Sequence, residues 1–85
     1  MTIELSERAQ EILARSFEAA RRFNPDVHLR LARVGSSVEA VLAEAPGDGD
    51  ETVNGPGFVL HVEAGLDGRL EVHEPHDRLV LVPRG

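Results

Sequence analysis

Apolar and polar residues alternate along two neighbouring stretches of residues 27–45, VHLRLARVGSSVEAVLAEA. An alternation with period two places every second side chain on the same face of a β-strand. Gly35, Ser36 and Ser37 separate the two stretches, and residues of these types favour turns. The pattern therefore predicts a β-hairpin. Its first strand has one apolar face, and its return strand is apolar enough on both faces to suit a central position in a sheet.

An α-helix is predicted before this hairpin. Apolar residues recur from Ala9 to Ala20 at the spacing of one helical face, with charged residues between them. Ser6 suits the N-cap position, and Asn24 followed by Pro25 predicts the end of the helix, because the residue before a proline avoids the α conformation. Residues 2–5 alternate and predict a short edge strand that leads into the helix.

Turn signals and strand patterns then follow one another to the end of the chain. Residues 46–51, PGDGDE, predict an acidic loop, and residues 54–57, NGPG, predict a second turn. Alternation predicts strands over residues 58–63, 69–73 and 79–82, the last two paired as a hairpin. One helix followed by about five strands indicates an α+β fold, with the helix packed on a small mixed or antiparallel β-sheet or half-barrel, in a single domain over residues 1–85.

The composition argues against several classes of function. The formal net charge is −6, the nine basic residues are dispersed arginines, and Trp and Tyr are absent, so nucleic acid is not an expected partner. No apolar run approaches the ~18–20 residues of a membrane span and no secretory signal is visible, so we expect a cytoplasmic protein without a membrane partner. The lack of cysteine removes disulfides, thiolate metal sites and thiol nucleophiles.

Several segments resemble the A-type iron–sulfur cluster carrier proteins, the HesB-like family. They are TIELSERA at residues 2–9, LRL at 29–31, GSS at 35–37, GFVLHV at 57–62 and LDGRLEV at 66–72. The resemblance implies a HesB-like fold over almost the whole chain. It also implies cluster ligation through one cysteine after the first long strand and a C-x-C pair near the C-terminus. Here Ser36 and Ser37 occupy the region of the first cysteine and the sequence ends before the second, so we expect no cofactor and no cluster-carrying activity.

The densest group of metal-capable side chains is HEPHD at residues 73–77. His73, His76 and Asp77, with His61 on a neighbouring strand, could supply ligands to zinc or another divalent ion. We favour a solvated polar turn instead, because Pro75 bends the chain between the two histidines and the predicted hairpin places the group at an exposed tip. The acidic loop does not match an EF-hand, the glycines do not match a phosphate-binding loop, and the turn serines lie in no nucleophile elbow.

These observations favour a small non-enzymatic protein that acts through contacts with a protein partner. A link to iron–sulfur cluster assembly is implied only by the family resemblance. The alternative is a divalent-metal-binding protein that uses His73, His76 and Asp77. Because a small sheet has edge strands that self-association can cover, we also predict a homodimer.

Overall fold

The N-terminal helix forms where the sequence predicts it. In the computed structural model, which describes residues 3–74, 76 and 78–83, helix α1 spans Glu7–Phe23. The Ser6 hydroxyl oxygen accepts a hydrogen bond from the Ala9 backbone N–H at 3.1 Å and so caps the first turn. The helix ends before Asn24, the residue that precedes a proline. No helix in the described part of the chain is long and apolar enough to cross a lipid bilayer.

The described residues form seven strands in two mixed sheets, and the fold is α+β as predicted. The strands are β1 Ile3–Leu5, β2 His28–Val34, β3 Ser37–Ala43, β4 Glu51–Gly55, β5 Phe58–Val62, β6 Gly68–His73 and β7 Arg78–Val82. The three-stranded sheet has the order β1-β6-β7, and the four-stranded sheet has the order β3-β2-β5-β4. The β1–β6 and β2–β5 pairs are parallel, whereas the other neighbours are antiparallel.

Two expectations for the sheets are wrong. The number of about five strands is too low, because the predicted loop and turn signals conceal strand β4. Val53 is its one apolar side chain, and β4 is held as a strand by its antiparallel pairing with β5 rather than by a pattern of its own. The second error concerns β3, which is an edge strand of the four-stranded sheet and not a central one. Its apolar character instead reflects packing on the core, through Val38 and Ala40, and contact with β7 of the other sheet.

Helix α1 and both sheets share one hydrophobic core in the described structure. Its buried members are Ile3, Ala9, Leu13, Leu29, Leu31, Val38, Phe58, Leu60, Val62, Leu66 and Leu70. In the parallel β2–β5 pair, Leu29 lies opposite Leu60 on the core side. Because side chains alternate between the faces of a strand, His28 and His61 lie on the opposite side of the sheet. The core therefore fixes which face of this sheet carries polar groups.

A partly buried ion pair between Arg30 and Asp50 anchors the acidic loop between β3 and β4. The Asp50 side chain is only 1% exposed and accepts hydrogen bonds from Arg30 Nε at 2.6 Å and Arg30 Nη2 at 2.8 Å. The Gly47 backbone N–H donates a third hydrogen bond to Asp50 Oδ2 at 2.8 Å. The hydrogen bonds from Arg30, with the smaller contribution from Gly47, hold the pKa of Asp50 below its ordinary value against the opposing effect of burial. The loop is therefore tied to the centre of strand β2.

Candidate functional site

A cleft opens between the β2–β3 turn and the β6–β7 hairpin, where strands β3 and β7 come into contact. It has a volume of about 520 Å³, within the range of roughly 300–1,000 Å³ that small-molecule pockets occupy. Its lining includes Ser36, Ser37 and His73, together with Arg33 and Arg78. The fold thus brings together the two turn serines and one histidine of the predicted metal group, which lie far apart in the sequence.

The β2–β3 turn places both serines at the cleft. Gly35 has a φ of +62°, a left-handed conformation that glycine adopts more easily than other residues, and this allows the tight reversal from β2 into β3. The Ser37 hydroxyl donates a hydrogen bond to the Val34 carbonyl oxygen at 3.2 Å. The Ser36 side chain is exposed and has no hydrogen-bond partner among the described residues, so its hydroxyl is free to donate to a ligand.

Two arginines give the cleft positive charge. Arg33 lies opposite Val38 in the β2–β3 pair, and Arg78 lies opposite His73 in the β6–β7 pair. Both arginines are exposed, and neither has an ion-pair partner within the described residues. Asp67 also lines the cleft and contributes one carboxylate. Among the described residues that line the cleft, two are arginines and one is an acidic residue, and this balance favours an anion over a metal cation.

The predicted metal ligands do not form a ligand set in the described part of the chain. His73 lines the cleft and His76 is exposed in the turn after β6, while Asp77 lies outside the described residues. No group of three histidine or carboxylate side chains that could hold a metal ion occurs among the residues described. His61 belongs to β5 of the other sheet. Metal binding by His73, His76 and Asp77 stays an untested prediction.

A histidine pair on the four-stranded sheet has no counterpart in the sequence-based expectations. The rings of His28 and His61 meet edge to face with their centroids 5.3 Å apart, and Thr52 Oγ1 lies 3.4 Å from His61 Nδ1. The pair borders a groove of about 390 Å³. The two histidines become neighbours through the parallel pairing of β2 and β5, a long-range contact for which a single sequence contains no local signal.

An apolar groove, the Phe23–Leu42 groove, lies between the C-terminal half of α1 and strand β3. The Phe23 side chain at the end of α1 is 93% exposed, and Leu42 on β3 is 57% exposed. The groove has a volume of about 370 Å³ and is lined by Ser16, Ala19, Ala20, Phe23, Leu29, Ala40 and Leu42. The sequence contains one signal for this groove. Phe23 is an aromatic residue at the predicted end of the helix, outside the apolar face that runs from Ala9 to Ala20.

Comparison with known proteins gives no independent assignment of function. No model of a known protein family matches the chain, and neither a curated protein nor a solved structure matches it. The function must therefore be inferred from the residues of the cleft and of the Phe23–Leu42 groove.

Proposed function

We propose that this chain is a HesB-like domain that carries no iron–sulfur cluster and acts without catalysis, through protein contacts that include a second copy of itself. Three of the resembling segments support the family assignment by their positions in the fold. Residues 3–9 contain β1 and the start of α1, residues 35–37 contain the turn between β2 and β3, and residues 66–72 contain most of β6. A link to cluster assembly rests on the resemblance alone.

The side chains at the β2–β3 turn support the loss of cluster ligation. Ser36 and Ser37 offer hydroxyl oxygens where the family has a thiol, and a neutral hydroxyl is a poor ligand for the iron of a cluster compared with a soft thiolate. Anaerobic incubation with ferrous iron and sulfide, followed by desalting, is expected to leave no visible absorption on the protein. A stoichiometric protein-bound cluster would contradict the proposal.

The Phe23–Leu42 groove is the observation that carries the proposed self-association. Its surface contains both a projecting aromatic ring and an apolar cavity, so it is self-complementary. In a twofold dimer, Phe23 of each copy would enter the groove of the other. Burial of a phenylalanine side chain contributes about 1.5–3 kcal/mol, and the twofold axis supplies this contribution twice.

Sedimentation equilibrium tests this dimer. We expect a reversible monomer–dimer equilibrium between roughly 1 μM and 1 mM, which corresponds to association free energies of about −8.2 to −4.1 kcal/mol. Phe23→Ser and Leu42→Ser should each weaken the dimer at least about tenfold, a loss of about 1.4 kcal/mol. Val34→Ser is the matched control, because Val34 is 45% exposed but does not line the groove.

Two results would refute the dimer as described. A wild-type monomer over the whole concentration range would remove self-association. Equal weakening by Phe23→Ser and Val34→Ser would show that the groove is not the contact surface. Circular dichroism of each variant checks that the fold is retained, which we expect because none of the three side chains is buried.

A further inference from the structure

We propose that the cleft between the β2–β3 turn and strand β7 binds a small phosphorylated organic molecule. Arg33 and Arg78 would hold the phosphate group and Ser36 would donate a further hydrogen bond. This inference concerns a ligand and goes beyond the protein contacts proposed above. It depends on neither the HesB-like assignment nor the dimer.

The cleft contains two arginines that have no ion-pair partner in the described structure. Among the other described arginines, Arg8, Arg22, Arg30 and Arg69 have a carboxylate partner within 4 Å, whereas Arg15 and Arg21 have none. Arg33 and Arg78 have no such partner in the described structure, yet both line the same cleft. A protein with a net charge of −6 repels anions at long range, so anion binding requires local donors of this kind. Arg33 and Arg78 differ from Arg15 and Arg21 in lining one cleft, where both charges can act on the same anion.

The number of hydrogen-bond donors favours phosphate over carboxylate. Each guanidinium can present two parallel N–H groups to an oxyanion, so two arginines supply about four donors. The free Ser36 hydroxyl adds a fifth, whereas the Ser37 hydroxyl is already used on the Val34 carbonyl oxygen. A carboxylate has about four lone-pair positions on two oxygens and cannot use all five donors with good geometry. A phosphate monoester has three terminal oxygens and carries nearly two negative charges.

The remaining surface of the cleft indicates what the phosphate is attached to. A volume of about 520 Å³ exceeds the space of an inorganic phosphate ion and leaves room for an organic group. Val38, Leu79 and Leu81 line the cleft beside the polar residues. Val38 is buried, and the two leucines are partly buried against the core. This apolar wall suits a ring or a short aliphatic chain next to the phosphate.

Chemical-shift titration of the ¹⁵N-labelled chain with three probes at constant ionic strength tests the inference. Phenyl phosphate has both a phosphate and an apolar ring, inorganic phosphate lacks the ring, and benzoate replaces phosphate with carboxylate. We expect phenyl phosphate to shift amide signals of the β2–β3 turn and β7 with a Kd of about 1 mM or tighter. Inorganic phosphate should shift the same signals with weaker affinity, and benzoate should bind most weakly.

Substitutions of single arginines locate the site. Arg33→Gln and Arg78→Gln should each weaken phenyl phosphate at least about tenfold, because each removes a charge-assisted pair of hydrogen bonds. Arg15→Gln is the matched control, since Arg15 is exposed on α1 and outside the cleft, and it should leave the Kd unchanged. The amide spectrum of each variant reports whether the fold is intact.

Three results would overturn the inference. The first is the absence of a saturable shift up to about 20 mM phenyl phosphate, a concentration about twentyfold above the expected Kd. The second is an equal loss of affinity in Arg15→Gln and Arg33→Gln, which would indicate diffuse electrostatic attraction. The third is benzoate binding as tightly as phenyl phosphate, which would exclude phosphate as the group recognised.

Discussion

Replacement of Asp50 by asparagine should destabilise the folded chain more than most substitutions in a loop do. Asparagine keeps the shape of the side chain but loses the charge, and its amide NH₂ group would face one of the Arg30 donors. The Asp50 carboxylate is almost fully buried and accepts three hydrogen bonds, two of them from a guanidinium. A hydrogen bond to a charged group contributes about 1.5–3 kcal/mol, and removal of one partner from a buried pair costs about 3–5 kcal/mol.

Partial exposure of the Arg30 side chain places the expected cost near the lower end of that range. That side chain is 21% exposed, so water can replace part of the lost contact. We expect Asp50→Asn to lower the free energy of unfolding by about 3 kcal/mol near pH 7, a large share of the stability of a small domain. Urea denaturation followed by circular dichroism measures it. Asp48→Asn in the same loop is the control, and because Asp48 is exposed it should change stability by less than about 0.5 kcal/mol.

The dependence on pH gives a second test of the same ion pair. The folded state lowers the pKa of Asp50 below the ordinary value of 3.8, so its stabilisation is fully present above that value and is lost as the pH falls through the folded pKa. The stability difference between wild type and Asp50→Asn should therefore be constant near neutral pH and shrink below about pH 4. A cost equal to that of Asp48→Asn, or a difference that grows in acid, would refute the reasoning.

Three further predictions concern the core, a strand contact and the metal hypothesis. Leu13→Ala should lower the free energy of unfolding by about 2–5 kcal/mol in urea denaturation, because Leu13 is fully buried and the residual cavity adds to the lost apolar contact. Gly68→Ala should lower the melting temperature more than Gly35→Ala. Both glycines have positive φ, but only at position 68 would the added Cβ lie 2.5 Å from a neighbour, the Val82 carbonyl oxygen, whereas position 35 has open space. Isothermal titration with zinc should show no binding tighter than about 100 μM, and tight one-to-one binding that is lost in His73→Ala would instead establish the metal site.

Local signals in the sequence were sufficient for the helix and for most strands. Ser6 and Asn24 mark the two ends of α1. Both signals are local, because a helix cap and a residue before proline affect only the backbone next to them. The β2–β3 hairpin also follows from alternation and a glycine turn. Strand β4 was not predicted, because its sequence pattern resembles that of a loop. Its extended conformation is stabilised by antiparallel pairing with β5. Element boundaries that depend on a partner strand are not encoded in the strand alone.

The residues of the candidate site were visible in the sequence, but their arrangement was not. Ser36 and Ser37 were conspicuous as replacements for a ligand of the resembled family, and His73 as part of a polar cluster. Arg33 and Arg78 carried no local signal, because an arginine in a strand is usually a solvated residue. They become notable only where β3 and β7 meet and both line one cleft.

By itself, the sequence determined the α+β class, the helix, the hairpin turn and the absence of thiol chemistry, since these depend on residue type and short-range spacing. The tertiary structure decided the order of the strands, the burial of Asp50 against Arg30, and the position of the serine turn beside His73. These features depend on contacts between residues distant in the chain, and such contacts are selected by the packing of a shared core rather than by local preference.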